Sequence, residues 1–351
     1  MALDTLVGNL YAMAVARAPR SIAPLLRPKI LLKKTAKSLA GQKERRRTVA
    51  RGDRDISTTH FSWYRGEHAN FGPTKINLSE RDAIERYFLH GWLPETKFIT
   101  KETPVVAFGS CFAAHISRYL KERGFNILGD DLRRAAYIVR FGEGMVNTFA
   151  IRQQFEWAFE GKAFGEGLWH DKSGQLLRPE EAVREQTLSM FRDAEVFVLT
   201  LGLSEVWYDK ITGEVFWRAI PSDAFDPARH GFRVSTVSDN LDNLRSIVRL
   251  IREHRPSAKI VITLSPVPLV ATFRPVSCIS ANSVSKAVLR VAVDELMRER
   301  SAPDPLYYFP SYEIVTAYFR DAYKLDNRHI HPRVIRTIME TFVRHYVPEH
   351  H

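Results

Sequence analysis

The sequence is poor in cysteine and has no long apolar run. Its two cysteines, Cys111 and Cys278, cannot build the disulfide framework of a small secreted domain, and they suit a reducing compartment. No stretch reaches the roughly 18 uninterrupted apolar residues of a membrane-spanning helix. The apolar run at 6–16 follows Asp4 and precedes the basic residues, which is the reverse of a secretory signal. We therefore predict a cytoplasmic protein.

Motifs for metals and nucleotides are also lacking. No cluster of cysteine and histidine has the spacing of a zinc site, and no Walker or dinucleotide-binding glycine-rich loop occurs. We therefore expect no metal and no cofactor. The composition, with 45% hydrophobic and 26% charged residues, is that of an ordinary globular protein.

The net charge of +11 is concentrated at the N-terminus. Residues 1–50 hold eleven lysines and arginines against Asp4 and Glu44, so the rest of the chain carries only +2. Such a tail suits either a helix on an anionic membrane surface, which would make the protein membrane-peripheral, or a solvated flexible arm. Nucleic-acid binding is the least favoured function, because the tail nearly lacks the aromatic residues that stack on bases.

We divide the chain into a basic tail and linker at 1–57 and one α/β domain at 58–351, with its core at 104–345. The first part of the domain, up to 103, is predicted to be an ordered aromatic lead-in. Predicted strands lie in TPVVAFGS, FNILGD, AEVFVLTLG, AKIVITLSPVPL and LYYFPSYEIV, with a hairpin that turns near Thr212–Gly213. Predicted helices lie in CFAAHISRYLKERG, MVNTFAIRQQFEWAFEG, VSDNLDNLRSIVRLIREHRP (capped by Ser238 or Asp239), SANSVSKAVLRVAVDELMRER and HPRVIRTIMETFVRHYV. This alternation predicts a parallel sheet with helices on both faces, and such sheets bind ligands at the carboxyl ends of their strands.

A serine follows the first predicted strand at the turn into a helix. Gly109 precedes Ser110 there, and a glycine lets the backbone bend tightly, so that the hydroxyl is exposed at the helix N-terminus. The free N–H groups and the helix dipole favour negative charge, which suits a nucleophile whose attack creates an oxyanion. The same junction also suits a serine that only caps the helix.

An acid and an imidazole occur together near the C-terminus. In Asp326-Asn327-Arg328-His329, one turn separates the carboxylate from the imidazole. The carboxylate can hold the Nδ1 proton and leave Nε2 free as a general base. The alternative is a charged surface loop before the helix that Pro332 begins. Together with the serine after the first strand, the pair predicts a nucleophile, its base and an orienting acid.

The string GSCFA at 109–113 resembles the signature of the GSCFA family, a group assigned to the SGNH/GDSL hydrolase superfamily. Further blocks that resemble this family are, in order, VNTFAIRQQFEWAF, LTLGLSEVWYD, GEVFWRAIP, TLSPVPLVAT, ANSVSKAVLR, YYFPSYEIV and DNRHIHP. The resemblance covers roughly residues 60–345. It implies a three-layer α/β/α sandwich with a flavodoxin-like parallel sheet, the SGNH hydrolase fold, in the strand order 2-1-3-4-5.

The resemblance also implies roles for individual residues. It makes Ser110 the nucleophile, and the late D-x-x-H motif makes Asp326 and His329 the orienting acid and the base. His331 is the alternative base, because some relatives place the catalytic histidine directly before a proline.

The oxyanion site departs from the pattern of the superfamily. SGNH enzymes usually use a glycine and the asparagine of a G-x-N block, whereas Gly202-Leu203-Ser204 stands here. We expect the Ser110 N–H to bind the oxyanion together with the Ser204 hydroxyl or with Asn147.

Several further residues are weaker candidates. Those predicted to bind substrate are Gly202, Glu205, Trp207 and Asn282. Core packing suits Trp207 equally well, and helix capping suits Asn282. Cys111 is predicted to be a buried packing residue, and His115 is predicted to lie on a helix face without acting as a base.

The predicted function is that of a serine-dependent acyl-ester hydrolase or acyltransferase, an enzyme acting on ester bonds. Its expected substrate is an acylated carbohydrate, because superfamily relatives often act on acylated glycans. The alternative is a non-catalytic accessory protein of the same fold that binds a glycan or a protein partner at the membrane. The basic tail and the missing asparagine favour this alternative.

Overall fold

The computed structural model describes residues 68–128, 136–140, 144–165, 167–171, 173–301 and 304–349. The chain divides into two units after Glu80. Of the first unit, the structure describes 68–80, which contain the 3-10 helix Asn77–Ser79. The predicted tail at 1–57 lies outside the described residues, and its two interpretations stay predictions. Across the residues that are described, no helix is long and apolar enough to cross a membrane.

The second unit is built on a parallel sheet. Over the described ranges, its strands are β1 (Val105–Gly109), β2 (Val196–Leu201), β3 (Glu205–Asp209), β4 (His230–Val234), β5 (Lys259–Leu264) and β6 (Leu306–Phe309). Strands β1, β2, β5 and β6 pair in that order, and every pairing is parallel. Ile127 adds a single parallel bridge on the free edge of β1, opposite Val105. The predicted order is therefore confirmed for strands 1-3-4-5, and within the described residues the predicted second strand contributes one bridge at the expected edge.

Helices cover both faces of this sheet. The longer ones are α1 (Cys111–Lys121), α2 (Thr148–Glu160), α3 (Glu181–Asp193), α4 (Val237–His254), α5 (Cys278–Glu299) and α6 (Pro332–Tyr346). Shorter ones are Ala83–Tyr87, Tyr137–Arg140, Ser311–Glu313 and the π-helix Ile314–Tyr318.

Successive strand residues point to opposite layers. Phe197 and Leu199 of β2 lie in one buried cluster with α2, α3, α4 and α5, whereas Val196 and Val198 lie in a second cluster with α1 and α6. Each strand is thus apolar on both sides, as a sheet between two helical layers requires. The predicted three-layer α/β/α sandwich is confirmed.

One local prediction was wrong, and one helix was missed. Helix α4 is capped by Thr236 in a capping box with Asp239, and not by Ser238 or Asp239 itself. A capping box needs a hydroxyl three residues before the acid, and Thr236 meets that spacing. Helix α3 was not predicted at all.

The hairpin prediction was right about the turn but not about the partner strand. Val215 meets Tyr208 through one antiparallel bridge, with Gly213 at φ +77° in the turn between them. The longer antiparallel partner of β3 is β4, which follows about twenty residues later. Strand pairing over such a distance leaves no local signal in the sequence.

The part of the lead-in segment after Glu80 belongs to the second unit. Ile84, Leu89 and Ile99 are buried in the same cluster as α1 and α6. The N–H groups of Phe98 and Ile99 both donate to the Tyr346 carbonyl at 2.9 Å, at the end of α6. Residues 81–103 are therefore part of the folded domain.

Candidate active site

Ser110 stands at the carboxyl end of β1, where the chain turns into α1. Gly109 has φ +128°, and a Cβ at this position would lie 2.1 Å from the carbonyl oxygen of Thr200 on β2. Glycine alone fits this backbone and this close approach. The approach allows the Ser110 N–H to donate to the Thr200 carbonyl at 3.0 Å, which fixes the start of the helix against the sheet.

The Ser110 hydroxyl caps α1 and is still able to react. Its Oγ accepts a hydrogen bond from the Phe112 N–H at 3.2 Å, and the residue is 4% exposed. This bond uses a lone pair of Oγ and not the hydroxyl proton, so the proton can pass to a base. The N–H also favours negative charge on Oγ. Helix capping and a nucleophilic role are therefore compatible at this serine.

Asp326 orients His329 within a short loop. The His329 Nδ1–H donates to Asp326 Oδ2, while Oδ1 accepts from the N–H groups of Arg328 at 3.1 Å and His329 at 3.0 Å. Asn327 has φ 53°, a left-handed conformation that asparagine tolerates. The hydrogen bond from the imidazole, followed by those from the backbone, holds the pKa of the Asp326 carboxyl well below its usual range. The carboxylate thus keeps the proton on Nδ1 and leaves Nε2 as an acceptor.

This loop is fixed to the carboxyl edge of the sheet. An antiparallel bridge between Tyr323 and Ile330 closes the loop, and the Tyr323 hydroxyl donates to the Pro266 carbonyl at 2.8 Å. Burial raises the pKa of Tyr323 to about 12, so the hydroxyl keeps the proton it donates. Because Pro266 follows β5, the imidazole is held beside the ends of the strands.

Ser110 and His329 line the same cavity, which has a volume of about 350 Å³. Its walls also include residues that follow β2 and β5, among them Gly202, Leu203, Ser265, Val267, Pro268 and Leu269. The structure thus brings the predicted nucleophile and the predicted base to one space at the carboxyl ends of the strands. Within the described ranges no hydrogen bond joins Ser110 Oγ to the imidazole. Such bonds often tighten only when substrate binds.

His331 takes a different position. It occupies the N-cap position of α6 without a side-chain capping bond, its N–H donates to the Ala322 carbonyl at 2.9 Å, and its Nε2 lies 3.9 Å from Asp321 Oδ2. It does not line the cavity that holds Ser110. The geometry therefore favours His329 over His331 as the base.

Ser204 lies behind the cavity and not on its wall. The residue is fully buried, and its N–H donates to Ser285 Oγ at 2.8 Å. The Ser204 hydroxyl has no hydrogen-bond partner in the part of the chain that the structure describes. Gly202 does line the cavity, but its N–H donates to the Val146 carbonyl at 2.7 Å.

Asn147 acts as the N-cap of α2. Its Oδ1 accepts from the Ala150 N–H at 2.8 Å, and its Nδ2 donates to the Trp217 carbonyl at 3.2 Å. Asn147 is buried and does not line the cavity. The structure therefore brings neither side chain predicted as an oxyanion donor to the space beside Ser110.

Two of the weaker candidates serve the packing of the β3 hairpin. Glu205 is buried and accepts from Thr272 Oγ1 at 2.8 Å. Trp207 packs against Phe232 and Phe273, with ring centroids 5.3 Å and 4.9 Å apart. Neither Glu205 nor Trp207 lines the cavity.

Three polar residues at the start of α5 hold the cavity walls from behind. Asn282 Oδ1 accepts from the Leu269 N–H at 3.0 Å, and Ser285 Oγ accepts from the Ser204 N–H at 2.8 Å. The Lys286 ammonium donates to the carbonyls of Gly202 at 2.6 Å, Ser265 at 2.7 Å and Val267 at 2.8 Å. Lys286 is 2% exposed, so these contacts hold a buried charge in place. From the sequence, Lys286 was placed among polar residues that open a helix and either bind substrate or cap it, whereas its contacts with three carbonyls were not predicted.

Arg328 was also missed. It stands between Asp326 and His329 and lines the cavity with Ser110. Its Nε is buried and has no hydrogen-bond partner among the described residues. Its position in the DNRHIHP block was the only signal, because the direction of the side chain depends on the fold of the loop.

The remaining candidates contribute less. His115 of α1 lines the cavity. The side chain of Cys111 lies outside what the structure describes. No group of histidine, cysteine and acidic residues that could hold a metal ion occurs in the described ranges.

Comparison with known proteins places the chain in a family. A search of curated proteins gave no significant match. Among solved structures, a family 3 carbohydrate esterase from Talaromyces cellulolyticus aligns at 8% identity over 68% of this chain and 94% of that chain, with a TM-score of 0.34. A family 3 carbohydrate esterase from Clostridium thermocellum aligns at 12% identity over 70% of this chain and 94% of that chain, with a TM-score of 0.30. The model of the GSCFA family matches residues 104–342, and the chain belongs to this family.

Proposed function

We propose that the protein is a serine-dependent acyl-ester hydrolase or acyltransferase that acts on an acylated carbohydrate. The observation that carries the proposal is the cavity shared by Ser110 and His329, in which the imidazole is oriented by the Asp326 carboxylate. A hydroxyl, a base and an orienting acid at one strand edge are the components of acyl transfer through a covalent intermediate. The choice of a carbohydrate as the substrate class rests on the resemblance to SGNH hydrolases.

In the first step Ser110 Oγ attacks the acyl carbonyl while His329 Nε2 takes the hydroxyl proton. The tetrahedral intermediate collapses when the imidazolium returns this proton to the leaving sugar oxygen, which leaves the acyl group on Oγ. Water, or another hydroxyl in the transferase case, then attacks the acyl carbonyl while His329 takes its proton. The second tetrahedral intermediate collapses by cleavage of the acyl–Oγ bond, and the imidazolium returns the proton to Ser110 Oγ. Asp326 stays ionised throughout and stabilises the imidazolium.

The proposal assigns the Ser110 N–H to the oxyanion, because this N–H is covalently next to the nucleophile. In the present structure this N–H donates to the Thr200 carbonyl at 3.0 Å, so it would have to exchange that acceptor for the oxyanion. Ser204 and Asn147 stay predictions for the second donor, and each would need a change in its present contacts. The buried Lys286 ammonium supports the walls from which such a donor would come.

The test compares esterase activity of purified full-length proteins on p-nitrophenyl acetate and on acetylated xylo-oligosaccharides. Ser110→Ala should lower kcat/KM by about 10³-fold or more, because the nucleophile is lost. Ser246→Ala is the matched control, because Ser246 is half-buried on α4, does not line the cavity, and its hydroxyl donates to the Asp242 carbonyl. A Ser110→Ala protein with full activity would overturn the proposal. A wild-type protein without esterase activity on either substrate would favour the accessory glycan-binding function.

A further inference from the structure

A groove adjoins the cavity that holds Ser110 and His329. It has a volume of about 650 Å³ and is lined by residues of α1 and α6. His115, His329 and Ile330 line both the groove and the cavity. A ligand whose reacting ester lies in the cavity can therefore continue past the imidazole into the groove.

The groove carries an excess of positive charge. Among its lining residues that the structure describes, the cations are Arg118, Arg123, Lys324 and Arg336, and the anions are Glu122 and Glu340. Arg118, Lys324 and Arg336 make no ion pair within the described residues. These three cations are thus available to a ligand, and the lining of the groove has two more cations than anions.

The cavity itself contributes a further cation. Arg328 lines it, and the Nε of this guanidinium is buried without a hydrogen-bond partner in the described residues. A buried donor of a charged group is costly when it has no acceptor. An anionic group on the ligand would supply the acceptor.

This excess does not reflect a basic protein surface. Residues after 50 carry a net charge of only +2, and residues 1–50 carry the rest of the +11. Two further described helices, α3 and α5, present exposed arginines on the other face of the sheet, and Arg298 there is paired with Asp294 at 2.9 Å. The excess of positive charge in the groove is therefore not explained by the net charge of the chain after residue 50.

We propose that the substrate is an anionic saccharide, with the acylated unit in the cavity and neighbouring units that present carboxylate or phosphate groups to the groove. The identity of the reacting site rests on the proposed function, whereas the anion preference rests on the groove. Arg328 contacts the negative group nearest the ester, and Arg118, Lys324 and Arg336 contact those farther along the saccharide. Arginine pairs with the two oxygens of a carboxylate or phosphate in a planar fork, which gives orientation as well as attraction.

Binding tests the anion preference without the reaction. The full-length Ser110→Ala protein is titrated with oligogalacturonate, with a phosphorylated mannan oligosaccharide and with a neutral xylo-oligosaccharide of equal length. At least one anionic ligand should bind more tightly than the neutral one, and its affinity should fall as salt rises because exposed charges are screened. The ligand that binds more tightly tells whether carboxylate or phosphate is the natural group. Equal affinity for all three ligands would overturn the proposal.

Variants then locate the site. Arg118→Gln with Arg336→Gln should weaken the anionic ligand by about two- to twentyfold, since each exposed charge pair is worth a few tenths to one kcal/mol. The matched control is Arg192→Gln with Arg298→Gln, which removes the same charge from α3 and α5 and should leave the affinity unchanged. If the double variant in Arg118 and Arg336, the groove variant, kept the full preference for the anionic ligand, that preference would be assigned to the N-terminal tail and the proposal would be overturned. An oligonucleotide of equal charge that binds more tightly than both saccharides, and is weakened by the groove variant, would also overturn it.

Kinetics keep this proposal separate from the proposed function. In the wild-type protein, kcat/KM should be higher for an acetylated oligogalacturonate than for an acetylated xylo-oligosaccharide, and the groove variant should lower this ratio. If neither ester is cleaved but the binding preference holds, the esterase function fails and the anion site stands. If both are cleaved with equal kcat/KM at low salt, the anion site fails and the esterase function stands.

Discussion

The Nδ1 of His329 donates to the carboxylate of Asp326 three residues earlier, across a turn in which Asn327 is left-handed. The same carboxylate accepts from the N–H groups of Arg328 and His329. Four consecutive residues thus form a preorganised acid–imidazole pair, and Tyr323 fixes their loop to the end of β5. The pair is held by local bonds, so it can be changed without disturbing the core.

Asp326→Asn should lower kcat for ester hydrolysis by on the order of 10²- to 10⁴-fold. An amide no longer fixes the Nδ1 proton or stabilises the imidazolium, so the imidazole is the wrong tautomer for part of the time. The measurement is steady-state kinetics at pH 7.5, with Asp242→Asn as the control because Asp242 is exposed on α4 and does not line the cavity. Activity that is the same in both variants would remove Asp326 from the mechanism.

The pH dependence of stability should also change in Asp326→Asn. The folded-state pKa of Asp326 lies below its unfolded value, so its ionised form stabilises the fold above the unfolded pKa, about 3.9. This contribution is lost as the pH falls through the folded-state value. We expect wild type to exceed the variant in free energy of unfolding at pH 7, and the difference to shrink when urea unfolding is repeated toward pH 3. A difference that grows with acid would contradict the assignment.

Gly109→Ala should destabilise the protein more than other glycine substitutions at positive φ. The alanine Cβ would meet the Thr200 carbonyl at 2.1 Å, so β1 and β2 would have to separate where Ser110 is positioned. We expect a loss of roughly 3 kcal/mol or more in the free energy of unfolding, from backbone strain and the steric clash together. Gly124→Ala is the control, with φ +81° and nothing within 4 Å of the added Cβ, and it should cost about 1 kcal/mol. Equal losses would show that the close approach to Thr200 is unimportant.

Lys286→Met should disturb the cavity walls, because three wall residues lose the donor to their carbonyl groups. Removal of the ammonium leaves the carbonyls of Gly202, Ser265 and Val267 without their donor, at a cost of roughly 3 kcal/mol in unfolding free energy. Activity should fall further than the folded fraction does, because these residues line the cavity. Circular dichroism gives the folded fraction and steady-state kinetics the activity. Arg298→Gln, an exposed change on the same helix, serves as the control, and a Lys286→Met protein with wild-type kcat would exclude the positioning role.

The parallel sheet was predictable because each strand carries its own apolar run between turn residues, whereas the strand order came from the resemblance to the GSCFA family. Ser110 was predictable for the same reason, since a glycine and a serine directly follow the first run. The pairing of Asp326 with His329 is also local, because three residues separate them. These features require no knowledge of the rest of the chain.

The missed features depend on contacts between distant segments. Lys286 is 84 residues from the Gly202 carbonyl that it holds, so its role follows from the packing of α5 on the sheet. The placement of Ser204 behind the cavity likewise depends on its contact with Ser285, 81 residues away. The cap of α4 was misplaced for a local reason, because Thr236, Ser238 and Asp239 are all good caps and the spacing to the acid selects among them.

The central claim is that Ser110 is activated by His329, and covalent labelling tests it most directly. The full-length protein is treated with a fluorophosphonate, and the labelled peptide is mapped by mass spectrometry. The account predicts a single label on Ser110 that is lost on heat denaturation and in His329→Ala but retained in His331→Ala. A label on another residue, or a label on Ser110 that persists in His329→Ala and disappears in His331→Ala, would contradict it.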